Sequence, residues 1–179
     1  MTNEKPQLRL ALYARMKDPQ TYHYALHISS KNRASDPLIL DTTKFHCKNI
    51  IQSIDGSIKI PWIYEVTRVN PEHDRQILVA VVLGELRDAD LAARLFAEVP
   101  VIQDDPNFNC VIWVQRALSE VYQAKILLTT PIFDWDKIQK TALQYVTTKK
   151  QQGRFMSDWR GDSSRVPTFD MVLGQETVP

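Results

Sequence analysis

Tyr22-His23-Tyr24-Ala25-Leu26-His27-Ile28 alternates with a period of two. In an extended strand that period puts Tyr22, Tyr24, Leu26 and Ile28 on one face and His23, Ala25 and His27 on the other. Working outward, residues 8–16 alternate in the same way, with Leu8, Leu10 and Leu12 set against Arg9, Ala11 and Tyr13. Asp18-Pro19-Gln20 lies between the two segments and carries turn chemistry, so the spacing predicts a hairpin. Farther along, Ile77-Leu78-Val79-Ala80-Val81-Val82-Leu83 is an unbroken apolar run of strand length. Such a run suits a central strand covered on both faces.

The remaining strands are less regular. Lys31 to Pro37 reads as a polar loop, and 38–40 with 44–48 as one broken strand or two short ones. Asp55-Gly56 marks a turn. Ser57 to Arg68 is strand-like around Trp62, with Pro61 suggesting an edge or a bulge. Asn70-Pro71 opens another turn.

Three helices follow. The first is expected over about 88–98, with Leu91, Leu95, Phe96 and Val99 near helical spacing and Pro100 as the stop. The second starts near Asn109 and carries Val114, Ala117, Leu118, Val121 and Tyr122 on one stripe. The third spans about 134–151, with Trp135, Ile138, Ala142 and Tyr145 at three- and four-residue intervals and Gly153 at its end. Strands first and helices after is the order of an α+β domain, a mainly antiparallel sheet with helices packed on one side. The expected domain is 1–151, followed by a polar, mobile tail over 152–179.

Bulk composition narrows the function classes. The chain has 179 residues, 44% hydrophobic and 24% charged, as in an ordinary single globular domain. With 22 basic and 21 acidic side chains there is no basic excess for a nucleic-acid surface. No stretch approaches the roughly 20 apolar residues needed for a membrane span, and Leu8–Tyr13 is too short and too charged for a signal peptide. Cys47 and Cys110 are too few for a disulfide scaffold, which makes a reducing, cytoplasmic location the default. Cofactor motifs are lacking: Gly84 stands apart from any phosphate-cradling glycine pattern. Oligomeric state is not legible.

Cys110 is the residue of greatest chemical interest. Asn109 is a good helix N-cap, so Cys110 falls in the first turn, where free N–H groups and the helix dipole favour a thiolate. Asp104 and Asp105 oppose this if they approach the sulfur. The competing reading is a buried core thiol. A nucleophile needs a base, and His23 and His46 lie on strands; His73 sits in a polar loop and reads as solvated. His27 shares the His23 face but lies four residues on, about 13 Å along a strand. The two cannot ligate one zinc ion, whose ligands lie about 2 Å away, and no metal site is expected. Trp62, Trp113 and Trp135 read as core. Arg160-Gly161-Asp162 reads as a chance match to an adhesive tripeptide.

The order of His23 on a strand, His46 on a later strand and Asn109-Cys110 at a helix start resembles the circularly permuted papain-like fold of NlpC-type and lecithin–retinol acyltransferase-like enzymes. The segments His23 to Leu26, Phe45 to Asn49 and Asn109 to Val114 are also similar to patterns in a group of small fungal proteins. The resemblance implies Cys110 as nucleophile, His23 as general base and His46 as the residue orienting it. The implied activity is a cysteine-dependent hydrolase or acyltransferase acting on a small-molecule or peptide carbonyl. A second expectation keeps the pocket without covalent catalysis: His23 and His46 acting as acid and base in a cyclisation, isomerisation or dehydration of a secondary metabolite. A third is a non-catalytic interaction module on the same fold.

Overall fold

A computed structural model describes residues 5–30, 39–128 and 132–179. The polar loop expected over 31–37 lies outside the described residues. The alternating segments form the expected antiparallel hairpin: β1 (Gln7–Ala14) pairs with β2 (Tyr22–Ser29) in continuous register from Gln7↔Ser29 to Ala14↔Tyr22. β3 (Thr42–Asn49) follows, then a small separate hairpin, β4 (Gln52–Ile54) and β5 (Ser57–Lys59), and β6 (Trp62–Val69). Asp55 and Gly56, both at positive φ, make the β4–β5 turn. Pro61 separates β5 from β6, so the segment expected as one strand is two. Asn70 caps a short 3₁₀ turn, Pro71–His73.

β7 (Ile77–Glu85) is the apolar run, and it lies between β1 and β8 (Thr168–Asp170). With β9 (Gln175–Val178) the main sheet reads β6-β3-β2-β1-β7-β8-β9, antiparallel at every junction except β7–β8. The helices are α1 (Ala89–Glu98), α2 (Cys110–Gln123) and α3 (Trp135–Gln151), each capped by an Asp or Asn side chain. No described helix is long and apolar enough to cross a membrane.

Strand alternation sorts the side chains into two compartments. Leu8, Leu10, Leu12, Tyr24, Leu26, Phe45, Cys47, Val79 and Val81 face the three helices, forming the main core with Phe96, Trp113, Leu118 and Val146. Trp113 is fully buried, and Trp62 and Trp135 pack against the same core. On the opposite face Ala11, Tyr13, Ala25 and Ala80 form a smaller apolar group with Ile77 and Val166. The expected α+β class, with helices on one side of a mostly antiparallel sheet, is the observed one.

The expected boundary at 151 is not. Residues after α3 return to the sheet: Ala80 N–H donates to Pro167 O (2.9 Å), Met171 N–H donates to Val82 O (3.1 Å), and Val166, Thr168 and Asp170 are buried. β9 is tied to α3 through Glu176, which accepts a hydrogen bond from Tyr145 O–H (2.7 Å) and pairs with buried Lys149. In sequence Lys149 reads only as a cation suited to a helix end. A three-residue strand carries too little periodicity to be recognised in a polar sequence.

Deleting residues 166–179 is expected to strip protection from the Ala80 amide in hydrogen exchange while the β1–β2 amides keep theirs. It should also lower the urea midpoint. Unchanged Ala80 protection would contradict the docking of the C-terminal segment.

Candidate functional site: a Glu–His–His chain on the sheet face away from the helices

The β2–β3 ladder has four residue pairs, Leu26↔Phe45 to Ser29↔Thr42, and stops there. Beyond it the two strands part, and two imidazoles bridge the gap: His23 Nε2 and His46 Nδ1 lie 2.7 Å apart. The β3–β6 register sets His46 directly opposite Glu65, and His46 Nε2 lies 2.8 Å from Glu65 Oε2. Lys48, two residues on along the same face of β3, holds the other carboxylate oxygen at 2.7 Å.

The carboxylate determines the tautomers. Glu65 is held ionised, its pKa lowered mainly by Lys48, and an ionised carboxylate only accepts. His46 therefore donates from Nε2. With both rings neutral, its Nδ1 accepts from His23 Nε2–H. The remaining nitrogen, His23 Nδ1, carries a lone pair. It has no hydrogen-bond partner among the described residues and is not sealed from solvent. Burial, reinforced by His46 and then Lys44, lowers the His23 pKa to about 3. Burial and Lys44 lower that of His46 to about 4, outweighing the opposing pull of Glu65. Both rings are neutral near pH 7.

Tyr13 supports this face from β1. It is the cross-strand partner of His23, meets that ring edge-on at 6.1 Å, and shares a 2.9 Å hydrogen bond with His27 Nε2. His27 is fully buried. The ammonium of Lys44 sits 3.9 Å over the Tyr13 ring.

Cys110 lies elsewhere. The start of α2 is as expected: Asn109 Oδ1 accepts from the N–H groups of Val111 (2.9 Å) and Ile112 (3.1 Å). The sulfur, however, is fully buried in the helix-side core with Tyr24 and Cys47. His23 and His46 belong to the other face. Among the described residues no hydrogen bond joins Cys110 to either histidine; the sulfur accepts from Arg15 Nη2 at 3.4 Å. Asp105 turns its carboxylate to its own loop, accepting from Asn107 N–H. Cys47 also points into the core, and burial pushes its thiol up to about 12. His73 is exposed. Arg15 and Tyr22 help line an apolar cavity of about 340 Å³ that His23 does not line.

The expected trio is thus divided: His23 and His46 meet, while Cys110 lies across the sheet. Glu65 was missed, although it alternates with Trp62, Tyr64 and Val66, which was the available signal.

The family of unknown function DUF6914 matches residues 5–178, and the chain belongs to that family. No curated protein and no solved structure matches it significantly.

The depressed histidine pKa values predict an acid-side loss of stability. Between the folded values, about 3 and about 4, and the ordinary 6.5, the unfolded chain binds more protons than the folded one. Stability is therefore complete above about pH 6.5 and falls as pH drops, by up to about 1.4 kcal/mol per pH unit for each ring. Urea midpoints measured from pH 7 to 5 should decline in the wild type and decline less steeply in His23→Gln, where His46 still contributes. NMR should find both rings neutral at pH 5, each protonated on Nε2; a charged ring at that pH would refute the assignment.

Proposed function

We propose that this DUF6914 protein is an acid–base catalyst that moves a proton on a small organic substrate, in an isomerisation, cyclisation or dehydration, with His23 as the group that takes and returns the proton. The observation carrying this reading is the chain Glu65–His46–His23, joined at 2.8 and 2.7 Å, which ends in an open lone pair. Proton uptake at His23 Nδ1 creates an imidazolium whose Nε2–H still points at His46. The charge is stabilised through His46 by the Glu65 carboxylate, the orienting role that a third group plays in acid–base sites. His46 and Glu65 act as positioning residues.

A weakly basic resting imidazole fits this role. Neutral His23 is already in the proton-accepting form, and its basicity rises as negative charge develops on a bound substrate. The surrounding cations that depress its pKa, Lys44, Arg15 and Lys48, favour that same negative charge.

The hydrolase or acyltransferase reading, with Cys110 attacking a carbonyl, is supported by the first-turn position of the sulfur and by its contact with Arg15. It requires a fully buried sulfur to work with a base on the opposite face. The likeness to permuted papain-like enzymes rests on the chain order of His23, His46 and Cys110. The acid–base reading needs no rearrangement of the sheet and is preferred.

The test is solvent-deuterium incorporation into a panel of enolisable carbonyl compounds, followed by NMR. Wild type and Cys110→Ser should both exchange. His23→Gln should lose at least 100-fold, and Glu65→Gln about 10- to 100-fold, with its pH profile displaced. Full exchange by His23→Gln would overturn the proposal. Loss of exchange in a folded Cys110→Ser would overturn it in favour of the cysteine reading, and no exchange by wild type on any compound would favour a non-catalytic module.

A further inference from the structure

We infer that Lys44 is the anion-binding group of this face, and that the substrate of His23 is a small carboxylic acid with a carbonyl next to the C–H bond that loses its proton. The inference rests on the acid–base role of His23 and names the substrate class of that site.

Lys44 and His46 are alternate residues on β3 and so share a face, about 7 Å apart along the strand. Lys44 is half-buried. Lys48 and Lys149 are paired with carboxylates, Glu65 and Glu176 respectively. Lys44 has none within ion-pair distance among the described residues. Its neighbour is the face of the Tyr13 ring. Burying a cation without a counter-charge is unfavourable, and Asp74 and Glu65 act on it only from farther away. A cation–π contact compensates in part.

The support beneath this ammonium is specific. His27 is fully buried and hydrogen-bonds the Tyr13 hydroxyl, which fixes the ring. The fixed ring carries Lys44 on its face and meets His23 at an edge. His27, Tyr13 and Lys44 thus form a second chain beside Glu65, His46 and His23. One chain ends in an ammonium short of an anion, the other in a lone pair.

The chemistry follows from that pairing. The ammonium holds the carboxylate. His23 Nδ1 takes the proton, the C–H bond breaks, and its electron pair moves onto the carbonyl oxygen as an enolate. Where a carbon–carbon double bond is conjugated with that enolate, returning the proton to the far carbon of the dienolate shifts the double bond and restores the carbonyl. That is an isomerisation in which atoms and charge balance without another reactant. With no such bond, as in pyruvate, the proton returns to the same carbon and the step is exchange with solvent.

The probe is oxalate, a planar dianion shaped like such an enolate. Titrated into the full-length protein at pH 7, it should shift the His23 and His46 imidazole signals and saturate. Lys44→Met keeps the apolar stem over Tyr13 and should lower oxalate affinity at least tenfold. Lys44→Arg should recover part of it. His23→Gln should keep saturable, Lys44-dependent oxalate binding while failing to exchange the methyl protons of pyruvate. Lys44→Met binding oxalate as tightly as wild type would overturn the inference. If exchange were found on neutral ketones without oxalate binding, the substrate class would be wrong and the acid–base role would stand. Lys44-dependent oxalate binding without exchange on any carbonyl acid would uphold the anion site and overturn the acid–base role.

Discussion

The two-residue period of the β-strands is the constraint on which the rest of this molecule depends. β7 relaxes it against β1 at two register irregularities, but β2 is paired with β1 without one: moving one residue of β2 to the other face would shift the strand by one position against β1 and expose Tyr24 and Leu26. The apolar half of each strand is committed to the helices by the area it must bury. The polar half, with His23, His27, Lys44, His46, Lys48 and Glu65, is thereby committed to the other side. The site is what remains when the core has taken its share, which explains how so many titratable groups lie together on strands and away from the helices.

Much of this was readable from residue order. The β1–β2 hairpin, the central β7 strand and the three capped helices follow from period, turn chemistry and N-cap residues. The positions of His23 and His46 on strands follow as well. The side of the sheet on which they lie was also latent in the sequence: Tyr22, Tyr24, Leu26 and Ile28 make the more apolar face, and three amphipathic helices need such a face. An N-capped cysteine invites pairing with the nearest strand histidines, and that invitation is strong enough to hide the conflict. A helix that packs on the Tyr24 face brings its buried first-turn residue to Tyr24, not to His23.

Other features had no local signature. Glu65 is an ordinary strand glutamate until the β3–β6 register, set across a separate hairpin, brings it opposite His46. The docking of the C-terminal segment depends on Tyr145 and Lys149 of α3 meeting Glu176, a contact between residues 27 and more positions apart. Pairings of that kind are tertiary, and no window of sequence contains both partners.

The parting of β2 from β3 has a mechanical meaning. β2 remains zipped to β1 along its length, and β3 to β6, so the sheet is two stiff ribbons fastened to each other over only four residue pairs. The fastening is at one end; His23 and His46 sit on the two free edges at the other. The arrangement is that of a clothes-peg, and its jaws are the two imidazoles. Twisting one ribbon against the other stretches this hydrogen bond and also works against the helix-side core, where Tyr24 and Leu26 of one ribbon and Phe45 and Cys47 of the other share a cluster with residues of α2. On the polar face the two ribbons are joined by the bond through which Glu65 acts on His23 and by the seat of Lys44 on the Tyr13 ring.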